Sequence, residues 1–192
     1  MHYVIYIPGL GDHNTKGQEF LLKSWKLWGV QPVLVPMRWA DKQAFAPKLK
    51  QLIAKIDELR AGSTNKVSLV AASAGASAAI AAFAARRDTV HKVVLICGEV
   101  KVGVHIKQSY RTENPAFTES VQLLGLNLEK LSKTDRSRMR SYHPLFDETV
   151  PVADTKIEGV ASKRMLVVGH PFGIAYGLAL QAPWIMCWVK QS

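Results

Sequence analysis

The chain has 192 residues, of which 48% are hydrophobic and 21% are charged, and these proportions are ordinary for a globular domain. They exclude an intrinsically disordered chain and a collagen-like repeat, and only 2 cysteines exclude a disulfide scaffold. Lysine and arginine number 25 against 15 acidic residues, so the formal net charge of +10 favours anionic partners. At this length we expect a single domain spanning residues 1–192.

The sequence also bears on the cellular compartment. The amino terminus has no basic segment followed by a long apolar stretch, so we expect no secretory signal. No run approaches the roughly 18 apolar residues of a membrane span. Two cysteines, Cys97 and Cys187, are too few for a secreted disulfide framework and indicate a reducing compartment. We therefore expect a cytoplasmic protein without a membrane span.

Short apolar strands and amphipathic helices alternate along the chain. In order, the pattern predicts a strand at 2–7, a helix at 15–28, a strand at 33–35, a helix at 44–59, a strand at 67–71, a helix at 74–87 and a strand at 93–97. After a more polar stretch at 100–140, with one helix near 117–131, it predicts a short strand before Asp147, a helix at 152–161, a strand at 165–168 and a helix beyond 173.

Two details of this pattern concern packing. The helix at 15–28 has an apolar side that we expect to face the core, formed by Phe20, Leu21, Leu22, Trp25 and Leu27. The segment 183–189 is interpreted as a helix that docks on the core, with a dimer interface as the alternative. The alternation as a whole predicts a three-layer α/β fold of about six mostly parallel strands with helices on both faces.

In open parallel sheets, ligands bind beyond the carboxyl ends of the strands. The residues that follow four of the predicted strands are Pro8-Gly9-Leu10-Gly11, then Ser73, then Asp147, then Gly169-His170. A serine, an acid and a histidine therefore follow strands in that order.

Ser73 lies between a predicted strand and a predicted helix, in the segment Ala71-Ala72-Ser73-Ala74-Gly75. This segment matches the strand–serine–helix turn written G-x-S-x-G, with Ala71 in place of the first glycine. The turn requires small residues two before and two after the serine, where strand and helix nearly touch. It also directs the helix N-terminus and the Ala74 N–H towards a developing oxyanion.

With this turn, the Pro-Gly-Leu-Gly loop, Asp147-x-x-Val-Pro and Gly169-His170, the sequence resembles a small member of the α/β-hydrolase superfamily over nearly its whole length. The resemblance implies a minimal α/β-hydrolase fold that begins at the third strand of larger members. It implies Ser73 as the nucleophile, His170 as the general base and Asp147 as the acid that orients it. It also implies Leu10 and Ala74 as oxyanion-hole donors through their backbone N–H groups, and neither a cofactor nor a metal.

Other residues compete for the acid and base roles. Asp154 and Asp135 are the alternatives to Asp147, which the Val-Pro match favours. Of the 6 histidines, His2 and His91 lie at the wrong ends of their strands, His105 and His143 are interpreted as lining or capping residues, and His13 precedes the serine. His170 therefore remains the preferred base.

Substrate contacts are less constrained by the sequence. His13, Trp39 and Phe117 are candidate substrate-binding residues, and core packing is an equally good interpretation of Trp39 and Phe117. Between Lys101 and Arg140 the chain has eight basic and four acidic residues, a balance of 8 − 4 = +4. We interpret this segment as solvated surface, and a small cap at about 100–140 that attracts anionic substrates is the alternative. Cys97 is interpreted as a small buried hydrophobic residue.

The sequence predicts a serine hydrolase that cleaves a carboxylic ester of a small acyl substrate through an acyl-enzyme on Ser73. A thioesterase or amidase would use the same triad. A catalytically silent binding module is the alternative from another class, since fold alone does not ensure activity. A nucleic-acid binder is the fourth interpretation, but the basic residues are not interleaved with aromatic ones as base stacking requires. We expect no specific nucleic-acid partner, and the oligomeric state stays open.

Overall fold

The computed structural model describes residues 1–61, 64–101 and 112–191. Within these residues a six-stranded sheet has the order β2-β1-β3-β4-β5-β6, and every neighbouring pair is parallel. The strands are β1 (His2–Ile7), β2 (Gln31–Leu34), β3 (Lys66–Ala72), β4 (Val90–Ile96), β5 (Met139–His143) and β6 (Ala161–Arg164). An isolated bridge between Phe146 and Val168 continues the pairing of β5 and β6 beyond their carboxyl ends.

Helices connect the strands and cover the sheet. They are α1 (Lys16–Lys23), α2 (Phe45–Arg60), α3 (Gly75–Ala85), α4 (Pro115–Gln122), α5 (Leu124–Glu129), α6 (Lys133–Ser137), α7 (His170–Leu178) and α8 (Ala182–Lys190). Three short 3-10 segments accompany them at Ser24–Trp28, Trp39–Asp41 and Val152–Thr155. The predicted three-layer α/β fold is confirmed.

Two hydrophobic clusters lie on opposite faces of the sheet. Successive residues of β1 alternate between them: Ile5 and Ile7 belong to the cluster under α2, α3, α4 and α5, whereas Val4 and Tyr6 belong to the cluster under α1, α7 and α8. Both faces of the central strands are buried, which explains why these strands are continuous apolar runs in the sequence. In α3, every residue from Gly75 to Phe83 is buried.

The structure corrects the predicted helix at 15–28. Helix α1 ends at Lys23, and a 3-10 segment over Ser24–Trp28 follows it. Leu22 and Trp25 are buried as expected, but Phe20 and Leu27 are 73% and 82% exposed. Each of the two lies two positions from a buried residue, and residues two apart on a helix point in different directions.

The elements after residue 150 also differ from the prediction. The predicted helix at 152–161 is only the 3-10 turn Val152–Thr155, and the strand lies at Ala161–Arg164 instead of 165–168. All four residues of β6 are exposed, because this strand is the edge of the sheet. Exposure removes the apolar signature on which the sequence prediction depended.

The predicted cap at 100–140 falls partly on residues 102–111, which lie outside the described residues. Its later part forms α4, α5 and α6, and Phe117, Val121 and Leu124 belong to a core cluster. Across the described ranges, no single helix is long and apolar enough to cross a membrane. Helices α7 and α8 meet that criterion only when taken together across a 56° bend.

Candidate active site

Ser73 occupies a tight turn between β3 and α3. Its φ of 51° lies in the left-handed region, which non-glycine residues rarely adopt. The turn is held by a hydrogen bond of 3.0 Å from the Ser73 N–H to the carbonyl oxygen of Ile96. A Cβ added to Gly75 would lie 2.4 Å from the carbonyl oxygen of Ile7, so only glycine fits where α3 passes β1.

The hydroxyl of Ser73 begins a chain of hydrogen bonds that links the three predicted triad residues. Its Oγ lies 2.9 Å from Nε2 of His170, and Nδ1 of His170 lies 2.8 Å from Oδ2 of Asp147. The other carboxylate oxygen of Asp147 accepts the backbone N–H groups of Thr149 and Val150 at 2.9 and 2.8 Å. The structure therefore brings together residues that are 97 and 23 positions apart.

The hydrogen bonds also set the charge of the acid. Burial by itself would raise the pKa of Asp147, but the hydrogen bonds from His170, Val150 and Thr149 outweigh it and hold the pKa below its usual value. The predicted base role of His170 requires an ionised Asp147, because the carboxylate holds the tautomer that has its proton on Nδ1.

The loop at 8–11 passes directly over Ser73. A Cβ added to Gly9 would lie 2.7 Å from the Ser73 Cβ and 3.2 Å from its Oγ. Leu10 follows Gly9 in this loop, and Ala74 follows Ser73 in the turn, so both N–H groups belong to backbone that borders the hydroxyl. Their role as oxyanion donors stays a prediction.

Comparison with known proteins identifies the fold. No family model matches the sequence, and no curated protein matches it. Solved structures match over nearly the whole chain. One, described with the metagenome-derived lipolytic enzymes LipS and LipT, has a TM-score of 0.71 at 10% identity and covers 100% of this chain and 94% of its own. The carboxylesterase Cest-2923 from Lactobacillus plantarum WCFS1 has a TM-score of 0.68 at 16% identity, with 96% and 82% covered. The ydeN gene product of B. subtilis has a TM-score of 0.67 at 16% identity, with 100% of both chains covered.

The chain has the α/β-hydrolase fold. In this fold the position of His170 depends on the loop that precedes α7. The Gly169 N–H donates to the carbonyl oxygen of Phe146 at 2.9 Å, and the His170 N–H donates to the carboxylate of Glu148 at 3.1 Å. Pro171 stands in the first turn of α7, where its missing N–H has no helical partner to lose. Together with the bond between His170 Nδ1 and Asp147, these two contacts join the loops that provide Asp147 and His170 at three points.

Sequence reasoning missed Glu148 because its contact is with a backbone N–H 22 positions away, which no local pattern reveals. Its neighbour Asp147 matched a motif, whereas Glu148 has only its adjacency to that residue as a signal. It fixes the start of α7 and thereby the His170 ring.

The carboxylate of Asp12, which directly follows the loop at 8–11, links this loop to the backbone at 38–39. It accepts the backbone N–H groups of Arg38 and Trp39 at 2.6 and 3.3 Å. The indole N–H of Trp39 in turn donates to the carbonyl oxygen of Pro8 at 3.2 Å. Burial raises the pKa of Asp12 although the backbone hydrogen bonds act in the opposite direction.

The three predicted substrate contacts have different environments. Trp39 has no exposed surface and Phe117 is 4% exposed, and their rings meet edge to face at 5.9 Å in the core. Their burial agrees with the core-packing interpretation, and a contact of either side chain with substrate stays a prediction. His13 is exposed on the same loop.

The acids and histidines that compete for the triad roles have other partners. Asp154 pairs with Lys101 at 3.5 Å, and Asp135 accepts the backbone N–H of Ser132 in a capping box. His2 contacts Ser68, His91 contacts Gln191 and His143 contacts Pro144. His105 lies outside the described residues.

Two further ionisable side chains lie beside the triad, after β4. Cys97 is fully buried with a φ of 50°, and burial together with the negative charges of Asp147 and Glu148 raises the pKa of its thiol. Glu99 is 5% exposed, and burial raises its pKa to about 7, with a smaller contribution from Asp154 and Asp147. Among the described residues, the group able to hold a metal ion is Cys97, Asp147 and His170.

Proposed function

We propose that this protein is a serine hydrolase that cleaves carboxylic esters through an acyl-enzyme on Ser73. The observation that carries the proposal is the hydrogen-bonded chain from Asp147 through His170 to Ser73, with distances of 2.8 and 2.9 Å, at the carboxyl ends of the strands. A fold shared with a carboxylesterase and with lipolytic enzymes supports the same chemistry.

In the first half-reaction, Ser73 Oγ attacks the ester carbonyl carbon while Nε2 of His170 takes its proton. Asp147 stabilises the imidazolium that forms. The backbone N–H groups of Leu10 and Ala74 donate to the oxyanion of the tetrahedral intermediate, which is where preorganised donors contribute most. The intermediate then expels the alcohol, which receives the proton from His170.

In the second half-reaction, water attacks the acyl-enzyme, and His170 accepts its proton. The acid leaves, and Ser73 regains its hydroxyl proton from His170. Thioesters and amides would use the same groups, so the preferred acyl substrate is decided by assay.

The test is the intact mass of the protein after exposure to a fluorophosphonate. We expect one adduct on the wild type and none on Ser73→Ala, together with a loss of esterase turnover on the order of 10³-fold or more in that variant. Ser77→Ala is the matched control, because Ser77 is a buried serine of α3 whose Oγ contacts Ala74 and Ser120 and not His170. It should be labelled like the wild type.

Two outcomes would contradict the proposal. Failure of the folded wild type to react would favour a catalytically silent binding protein. Equal labelling of Ser73→Ala and the wild type would place the reactive group on another residue.

A further inference from the structure

We propose that Cys97, Asp147 and His170 form a site at which a thiophilic divalent cation, such as Zn²⁺ or Cd²⁺, binds and blocks the triad. The ion is an inhibitor here and takes no part in the proposed ester hydrolysis. Its binding does not depend on the proposed function, whereas the loss of activity that it causes does.

Geometry supports the site. One ligand atom from each of the three residues lies within 4.8 Å of the other two. Three atoms at such separations share a point that is within about 2.8 Å of each. Movements of at most about 0.5 Å at sulfur and about 0.7 Å at nitrogen or oxygen then give the bond lengths of zinc, about 2.3 and 2.1 Å. A thiolate, an imidazole and a carboxylate are also the ligand types that Zn²⁺ takes.

The thiol of Cys97 is held in place by three elements. The Cys97 N–H donates to the carbonyl oxygen of Tyr142 at 2.8 Å, which extends the pairing of β4 and β5 by one residue. From the other side α7 packs onto the sulfur, because a Cβ added to Gly173 would lie 2.7 Å from Sγ. The position of Sγ beside the His170–Asp147 pair is therefore fixed by the fold.

The negative charges beside the Cys97 thiol also favour a bound cation. Asp147 has a carboxylate that is fully buried, and Glu148 adds a second negative charge beside the thiol. On binding, the dication displaces the thiol proton to solvent, and the Nδ1 proton of His170 moves to Nε2, so that the imidazole ligates as a neutral group. The dication then balances the thiolate and the carboxylate in a region of low dielectric constant. The negative charges around the thiol thus favour a bound cation.

Binding has a direct consequence for catalysis. Once His170 and Asp147 ligate the ion, their 2.8 Å hydrogen bond is broken, and the imidazole is no longer held to take the proton of Ser73. Esterase activity and fluorophosphonate labelling should fall together on addition of Zn²⁺ and return when a chelator removes it.

The binding test is a Cd²⁺ titration of the metal-free protein, followed by the ultraviolet charge-transfer absorbance of a cadmium–thiolate bond. We expect one Cd²⁺ per chain in the wild type, and a loss of the band with at least about tenfold weaker binding in Cys97→Ser. Cys187→Ser is the matched control, because Cys187 is an exposed thiol on α8 and should leave the band unchanged. Asp147→Asn, which keeps both thiols, should also bind Cd²⁺ more weakly.

Several outcomes would overturn the inference. These are a band that survives in Cys97→Ser and disappears in Cys187→Ser, unchanged affinity in Asp147→Asn, or bound Cd²⁺ that leaves the activity of the wild type intact. The titration is repeated on Ser73→Ala, which lacks no metal ligand and should bind as the wild type does. A metal-free wild type without esterase activity would contradict the proposed function alone, since the titration needs no turnover.

Discussion

Ser73 and Cys97 follow neighbouring strands, and their φ angles are 51° and 50°. Such left-handed backbone costs on the order of 1–3 kcal/mol for a non-glycine residue and persists only where the surroundings hold it. Here the holding groups are the carbonyl oxygens of Ile96 and Tyr142, which accept the two N–H groups at 3.0 and 2.8 Å. Hydrogen bonds at the ends of the central strands thus stabilise the strained backbone that directs both side chains towards His170.

The substitution Asp147→Asn tests whether the Asp147 carboxylate orients His170. The amide presents an N–H to Nδ1 of His170 or reverses the tautomer, so we expect turnover to fall by about 10³- to 10⁴-fold. The carbonyl oxygen of the new side chain still accepts the N–H groups of Thr149 and Val150, so the far-ultraviolet spectrum should not change.

Asp154→Asn is the control for this prediction, because Asp154 is a second buried acid, which forms an ion pair with Lys101. The measurement is the steady-state turnover number of both variants. Normal turnover in Asp147→Asn together with an inactive Asp154→Asn would exchange the two roles.

The raised pKa of Glu99 predicts that the free energy of unfolding depends on pH. Its pKa is about 7 in the folded protein, against 4.5 for the ordinary side chain. Between these values the folded protein holds a proton that the unfolded chain has released, so the free energy of unfolding falls as the pH rises from 4.5 to about 7. The loss is about 3 kcal/mol, since each pKa unit corresponds to about 1.4 kcal/mol.

Glu99→Gln removes this loss, so the variant should be more stable than the wild type at pH 8 and differ less from it at pH 5. Urea denaturation at both pH values measures the effect. Glu58→Gln is the control, because the Glu58 side chain is 63% exposed and pairs with Lys55 on the helix surface, where little change is expected. An unchanged pH slope in Glu99→Gln would disprove the assignment.

At the scale of elements, the contact between β1 and the start of α3 is the tightest that the site depends on. Gly75→Ala would place a Cβ 2.4 Å from the carbonyl oxygen of Ile7 and 2.8 Å from that of Pro8. Both are backbone atoms that cannot rotate away, so we expect the free energy of unfolding to fall by about 2 kcal/mol or more. Esterase activity should fall as well, because the displaced segment leads into the loop over Ser73.

Gly125→Ala is the matched control, since a Cβ at this helical position in α5 meets nothing within 4 Å. It should stabilise the protein by up to about 1 kcal/mol, because alanine loses less backbone entropy than glycine on forming a helix. Denaturant midpoints of the two variants give the comparison. Equal midpoints would mean that the sheet and α3 separate more easily than their distance suggests.

The elements also show what the sequence could and could not predict. Strands β1, β3 and β4 were predictable because both of their faces are buried, and this placed Ser73 at a strand end. Strand β6 was misplaced because its residues are all exposed. The roles of Cys97 and Glu148 follow from contacts between loops that become neighbours only through the order of the strands.

For the molecule as a whole, the net charge of +10 predicts an effect of salt on substrate capture. Raising the ionic strength from about 0.01 to 0.15 M shortens the screening length from about 30 to 8 Å. We therefore expect kcat/KM for an anionic ester to fall over this range, because long-range attraction is lost. A neutral ester with the same acyl group is the control, and an equal response of both esters would show that the charge does not act on substrate.

The parallel sheet has a kinetic consequence. Each pairing of its strands joins segments separated by a crossover, so the sheet gains nothing from local hairpins. Proteins dominated by such distant pairings fold in milliseconds to seconds, because chain entropy must be lost before contacts form. The bond between Ser73 and His170 spans 97 positions and joins the middle of the sheet to α7. Catalytic competence should therefore arrive late in folding, because it requires this distant contact as well as the strand pairings.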